Sequence, residues 1–188
     1  MVAGGVTGGE AGPITLTALM PEATVSEQDL DARSAAVITI STRAAAGVYA
    51  DTSGPIIVDA LREAGYQVGD PHVVPDGEPV AEILRQLVDA GRAVIITTGG
   101  TGLNPGDHTP EMTRRVLERE IPHLAAAIAR YGVDHGVPSA VLSRGTAGTA
   151  GSSLVVNLPG SRGGARDGMA VLLPLLDHAI SQLRGGDH

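Results

Sequence analysis

A chain of 188 residues can bury one sizeable core and is too short for two full-sized domains. It contains no cysteine, which excludes a disulfide framework and thiolate chemistry and makes a reducing cytoplasm the expected compartment. A formal net charge of −8 argues against broad binding to nucleic acid or anionic lipid, and all thirteen basic residues are arginine. A P-loop lysine, a lysine nucleophile and a Schiff base are thereby excluded.

With no Phe or Trp and three Tyr, the core must be aliphatic, and stacking platforms for single-stranded nucleic acid are missing. No uninterrupted apolar run reaches membrane-spanning length, and the N-terminus lacks the basic-then-apolar order of a secretory leader. Residues 1–32, rich in Gly, Ala, Thr and Glu without a sustained period, read as a flexible extension. The domain is expected at 33–188.

Ala35 to Ile40 is a short β-branched run that fits a strand covered on both faces. Asp51-Thr52-Ser53-Gly54-Pro55 resembles a helix entry, and Ile57, Leu61 and Ala64 recur at helical spacing before Gly65. Tyr66 to Val74 reads as a second strand, with Pro75-Asp76-Gly77 as its turn. A helix over Val80 to Ala90 then leads into a third strand, Arg92 to Thr98. Strand, helix, strand, helix, strand is the pattern of parallel α/β units, whose ligands bind at the carboxyl ends of the strands. Further on, Pro110 to Arg130 reads as a helix with Pro122 near an internal break. Ala140 to Ser143 and Ser153 to Leu158 read as strands, and Asp167 to Leu183 as the last helix.

Residues 94–111 carry the strongest chemical signal. A buried strand enters Gly99-Gly100-Thr101-Gly102, and the chain then reaches a helix start at Asp107-His108-Thr109-Pro110-Glu111. Glycines let backbone N–H groups approach a phosphate, and a helix N-terminus favours negative charge. Thr109 as cap, Pro110 at the first helical position and Glu111 in the first turn are explained by helix-start chemistry alone. Asp107 is not, and an acidic residue beside a phosphate points to a bridging cation such as Mg²⁺. Asp51, at the loop after the first strand, is a turn or capping residue taken alone. Paired with Asp107 across the sheet edge, it becomes a second candidate for Mg²⁺ or proton handling.

Two more loops follow apolar strands: Ser143 to Gly148, and Asn157-Leu158-Pro159-Gly160-Ser161-Arg162-Gly163-Gly164. Arg144 and Arg162 are candidates to neutralise an anion. The six histidines show no metal-ligand spacing, so no zinc site is expected.

Together, Thr97 to Glu111, the Ser143-Arg144 loop, Asn157 to Ser161 and Asp51-Thr52-Ser53-Gly54 resemble the motifs of the MogA/MoaB family of molybdenum-cofactor biosynthesis proteins, over roughly residues 33–185. The resemblance implies a three-layer α/β/α sandwich with a mostly parallel sheet, commonly a trimer, that binds molybdopterin. MogA-type members adenylylate molybdopterin with Mg-ATP, releasing pyrophosphate. Carried onto this sequence, Asp51 and Asp107 would be the essential, metal-associated carboxylates. Thr98, Gly99, Gly100, Thr101, Gly102, Thr109 and Glu111 would frame the phosphates. Ser143, Arg144, Asn157, Pro159, Gly160 and Ser161 would complete the pterin and nucleotide walls. A downstream molybdenum-insertion enzyme is an expected partner, and neither nucleic acid nor a membrane is. Gly106 stands where many members carry Arg, and Arg162-Gly163 also departs from the family pattern. Two alternatives therefore stand beside adenylyl transfer: a non-catalytic molybdopterin-binding scaffold and a nucleotide pyrophosphatase-like relative.

Overall fold

The computed structural model describes Met1, residues 32–45, Gly47 and residues 50–186. The expected extension at 1–32 falls almost wholly outside the described residues. In chain order the elements are β1 (Ser34–Ile40), α1 (Thr42–Ala45), α2 (Gly54–Glu63), β2 (Gln67–Val68), β3 (His72–Val74), α3 (Glu78–Asp89) and β4 (Val94–Thr98). They continue with α4 (Thr109–Arg114), β5 (Arg119–Glu120), α5 (Pro122–Asp134), a 3₁₀ helix (Pro138–Leu142), β6 (Ala147–Ala150), β7 (Ser153–Leu158) and α6 (Arg162–Leu183).

One mixed, mostly parallel sheet runs β2-β1-β4-β7-β6-β5, and β3 also pairs with β1. Its centre, β1, β4 and β7, is parallel and wholly buried, which is why those segments read as continuous apolar runs. Side chains alternate across it. Val37, Ile96 and Val156 face Ile57 and Leu61 of α2, Ile128 of α5 and Leu172 and Leu176 of α6. Ile38, Ile95 and Val155 face Val80, Leu84 and Leu87 of α3, with Met112 of α4. The three-layer α/β/α sandwich is borne out. Among the described residues no helix is long and apolar enough to cross a membrane.

Several expected boundaries are corrected. The single strand at 66–74 is two short ones, because Gly69-Asp70-Pro71 interrupts the ladder and proline has no N–H to donate. The helix expected over 110–130 is two helices separated by β5, and Pro122 opens the second as its first residue rather than breaking a longer one. Residues 138–142 form a 3₁₀ helix instead of a strand. Pro138 starts it, and Ala140 packs on α5 so closely that a Cβ at Gly132 would lie 2.7 Å from Ala140 Cβ. The last helix begins five residues before Asp167, at Arg162, where Ser161 caps it by accepting from Gly164 N–H at 3.0 Å.

Within the expected loop at 143–148, Ala147 and Gly148 belong to β6, an antiparallel strand joined to β7 by a two-residue turn at Gly151. Its small residues hid it, and they serve close approach: a Cβ at Gly148 would strike the Arg119 carbonyl.

Candidate active site

β1, β4 and β7 end side by side at Ile40, Thr98 and Leu158, and their loops are pressed together by glycines. Gly99 has φ +105°, and a Cβ there would collide with the Ile40 carbonyl oxygen. Its N–H donates to the Leu158 carbonyl at 3.1 Å, and a Cβ at Gly160 would lie 3.1 Å from Gly99 Cα. Thr98 Oγ1 donates to the Pro159 carbonyl at 2.8 Å. Thr98 thus ties two of the loops together and does not line the cavity described below.

Gly100, at φ +62°, packs against a residue the sequence marked only as a turn, Asp76. Asp76 Oδ2 accepts from the His108 N–H at 3.1 Å, and Thr109 Oγ1 donates to Asp76 Oδ1 at 3.3 Å. The expected Thr109 cap is corrected accordingly: His108 occupies the cap position without a side-chain cap bond, and Thr109 is the first helical residue. A carboxylate from the loop after β3 satisfies that helix start from across the sheet edge. The strand-end logic that singled out Asp51 applied equally to Asp76.

Asp107 sits where the glycine loop returns to the helix. Its Oδ2 accepts from the Asn104 N–H at 3.2 Å, and a Cβ at Gly102 would crowd the same oxygen at 2.7 Å. Arg144, expected to neutralise an anion, is engaged elsewhere. Its Nε donates to the Gly102 carbonyl at 2.7 Å, and its Nη2 donates to the Asp107 carbonyl at 2.6 Å. Its Nη1 pairs with Glu111. The guanidinium fork therefore clamps the loop from outside. Burial pushes the Glu111 carboxyl up, but its own backbone N–H, the Arg144 hydrogen bond and charge, and the Arg114 charge together hold it below the ordinary glutamate value.

Asn157, 3% exposed, spans the site's base. Its Nδ2 donates to Thr97 Oγ1 at 2.9 Å and Thr113 Oγ1 at 3.0 Å, and its Oδ1 accepts from Thr146 N–H at 3.2 Å. Ser143 Oγ donates to Thr101 Oγ1 at 3.4 Å, and Arg144 N–H to the Thr101 carbonyl at 2.9 Å, fastening the third loop to the glycine loop.

Asp51 is placed differently. Thr39 Oγ1 donates to its Oδ2 at 2.6 Å, and its Oδ1 accepts from the Ser53 and Gly54 N–H groups at 3.1 and 3.0 Å. It forms the turn into α2, whose cap position Ser53 holds without a side-chain cap bond, in keeping with its lone reading, and it is not among the residues lining the cavity. Arg43, a further basic residue near the end of β1 that could neutralise an anion, has its side chain outside the described residues.

The loops open into a cavity of about 590 Å³, within the range of small-molecule sites. It brings together ten expected residues: Gly99, Gly100, Thr101, Gly102, Asp107, Ser143, Asn157, Pro159, Gly160 and Ser161. Thr98, Thr109, Glu111 and Arg144 stand behind it. The N-terminus of α6 enters through Ser161, Gly163 and Gly164, adding a positive dipole end. Sequence reasoning missed the opposite wall, formed by Ala125, Ile128, Ala129 and Gly132 of α5 and by Asp167 of α6. Periodicity marks such positions only as helix faces. Among the described residues no cluster of three or more Asp, Glu or His side chains is arranged to hold a metal alone. A single carboxylate beside a phosphate-binding loop nonetheless fits Mg²⁺ arriving with a nucleotide, because Mg²⁺ keeps several waters and takes one or two protein carboxylates plus phosphate oxygens.

A parallel sheet with glycine loops and a helix N-terminus converging at its carboxyl edge defines an anion-binding α/β domain. Residues 36–178 match the family described as a probable molybdopterin binding domain, and the chain belongs to that family. It is 36% identical over 155 residues to the molybdenum cofactor biosynthesis bifunctional protein of Chlorobaculum tepidum, covering 81% of this chain and 49% of that one. The chain thus spans about half the length of that relative. It is 31% identical over 153 residues to the molybdopterin adenylyltransferase of Helicobacter pylori, covering 79% and 86% of the two chains. The structure of the molybdopterin biosynthesis Mog protein from Mycobacterium ulcerans superposes with a TM-score of 0.77 at 52% identity, covering 80% of this chain and 99% of that one.

Proposed function

We propose that this protein is a molybdopterin adenylyltransferase, transferring AMP from Mg-ATP to the terminal phosphate of molybdopterin. The observation that carries the reading is the convergence of the Gly99 to Gly102 loop, Asp107, Ser143 and the Asn157 to Ser161 loop on one cavity, in a chain of this family. A terminal phosphate oxygen of molybdopterin attacks the α-phosphorus of ATP. The bond from that phosphorus to the bridging oxygen breaks, and pyrophosphate leaves with the electron pair. A phosphate monoester is largely dianionic at neutral pH, so no side chain need remove a proton. Positioning and charge neutralisation do the work. The glycine-loop N–H groups and the α6 N-terminus would cradle phosphate oxygens, and Asp107 would hold Mg²⁺, whose charge offsets that of the leaving pyrophosphate. Asp51, fixed by Thr39 and by the start of α2, would position the neighbouring strand end. The homotrimer and a molybdenum-insertion partner belong to the same proposal.

The test is purified full chain with molybdopterin and Mg-ATP. Adenylyl-molybdopterin and pyrophosphate should appear together, and Asp107→Asn should lower the rate by about 10²- to 10³-fold. No product while a Mog-type control turns over would sink the reading. One observation favours the scaffold alternative: no arginine or histidine is among the residues lining the cavity. That alternative requires molybdopterin binding with no ATP consumed and no effect of Asp107→Asn. Phosphate release without molybdopterin would instead point to the pyrophosphatase-like reading.

A further inference from the structure

The cavity has two chemically distinct ends. One is the glycine loop with Asp107. The other is a slot walled by Ala125, Ile128, Ala129 and Gly132, with Leu142 at its rim, 53% exposed. Gly132 keeps the slot narrow. A Cβ there would press on Ala140 and would lie 3.7 Å from Asp167 Oδ2, so the carboxylate of Asp167 lies directly over the small wall. Aliphatic walls of this kind suit a flat ring system.

Asp167 is half-buried, and among the described residues no hydrogen bond or ion pair engages it. Its acceptor sites are therefore open to a ligand that enters the cavity it lines. Asp167 has no role in the proposed transfer chemistry. Its two oxygens present parallel lone pairs, the arrangement that accepts two adjacent N–H groups at once, as it does from the arginine fork. Among flat heterocycles, the 2-amino-4-oxopyrimidine edge offers such a pair, its ring N–H and exocyclic NH₂. An oxo group in place of the amine removes a donor and faces the carboxylate with a lone pair.

We propose that Asp167 is the specificity-determining residue that accepts from the 2-amino-4-oxopyrimidine edge of a pterin, holding the ring in the α5 slot with its phosphate-bearing side chain directed to the glycine loop. This inference rests on the reading of the cavity as a molybdopterin site and adds the group that selects the ring.

The experiment measures equilibrium dialysis of 6-hydroxymethylpterin, detected by its fluorescence, and of the corresponding lumazine, in which a carbonyl replaces the 2-amino group. Wild-type protein should favour the pterin by about 10- to 100-fold, the range expected when one charged hydrogen-bonding partner is lost. Asp167→Asn, which keeps the side chain's shape and can donate to the lumazine carbonyl, should bring the two ligands within about threefold. Asp167→Ala should weaken the pterin to the level of the lumazine, with a thermal melt confirming that it folds. Mg-ATP affinity should be unchanged in both variants. Equal wild-type affinity for the two ligands, or an undiminished pterin preference in Asp167→Asn, overturns the assignment of Asp167 and leaves the transferase reading standing. Failure of wild-type protein to bind the pterin, with Mg-ATP bound normally, overturns the molybdopterin reading itself.

Discussion

Asn157 lines the cavity, yet its hydrogen bonds identify it as a strut, and its replacement tests that assignment. Three bonds tie β7 to Thr97 of β4, Thr113 of α4 and the Thr146 N–H before β6. Asn157→Ala removes all three at about 1 kcal/mol each and leaves the Thr146 N–H, in a residue 3% exposed, without its partner for about 1–3 kcal/mol more. The expected loss of about 4–6 kcal/mol is a large part of the 5–15 kcal/mol typical of a domain. Asn157→Asp is the sharper variant. It retains the acceptor for Thr146 but loses both donors, and Thr113 Oγ1 already donates to the Thr109 carbonyl at 2.8 Å. Burial therefore raises the new carboxyl's folded-state pKa above its unfolded value of about 3.9. The sign follows from linkage. Below the unfolded pKa both states are protonated and nothing differs. As pH rises past it, only the unfolded chain ionises, and stability falls by about 1.4 kcal/mol per pH unit until the folded pKa is reached. Urea unfolding followed by circular dichroism at about pH 4, 5.5 and 7 should show the gap between Asn157→Asp and wild type widening steadily as pH rises. A variant that tracks wild type across that range, or an Asn157→Ala cost under about 1 kcal/mol, would refute the strut.

Gly100→Ala should lower adenylyl transfer by about 10²-fold, because a Cβ at φ +62° meets Asp76 Oδ2 and Thr109 Oγ1 and must shift the start of α4 by about an ångström. Unaltered turnover in the coupled pyrophosphate assay would show that this packing does not set the geometry. Gly106→Arg should be tolerated, since no atom lies within 4 Å of a Cβ there: the melting curve should move by no more than about 0.5 kcal/mol equivalent. The added cation beside Asp107 should tighten Mg-ATP by about 2- to 5-fold in low salt, the worth of an exposed pair, with the gain shrinking as salt is added. A salt-independent change would mean that the arginine acts through structure.

The buried centre of the fold was legible because β1, β4 and β7 are continuous apolar runs, and length and flanking turns separate such strands from helices. The antiparallel edge was not. Arg119-Glu120 is too short to show a period, and Ala147 to Ala150 is built from small residues chosen for close approach. At the site, backbone chemistry was visible as glycine and proline, so the strand-end turns were marked, although Ala147 and Gly148 belong to β6 and Arg162 to Gly164 to α6. Contacts across loops were hidden. Asp76 lies 32 residues from His108 in sequence, and the Arg144 clamp on Gly102 spans 42, distances over which no local pattern operates. Arg144 could be marked as a cation near phosphates, but that its donors were already committed is a fact of geometry.

That commitment bears on how an acidic chain could manage two phosphorylated substrates. Charged side chains lining the cavity are Asp107 and Asp167, both carboxylates, while Arg144 holds the Gly102 and Asp107 carbonyls from behind it. Repulsion from Asp107 alone would oppose a bare triphosphate, whereas the same carboxylate favours a triphosphate that carries Mg²⁺. In the proposed reaction backbone N–H groups and a helix N-terminus would supply the remaining attraction without a mobile cation. In the proposed reaction the arrangement therefore selects the metal-bound nucleotide over the free one, and it explains why a chain with no lysine loses nothing by lacking it.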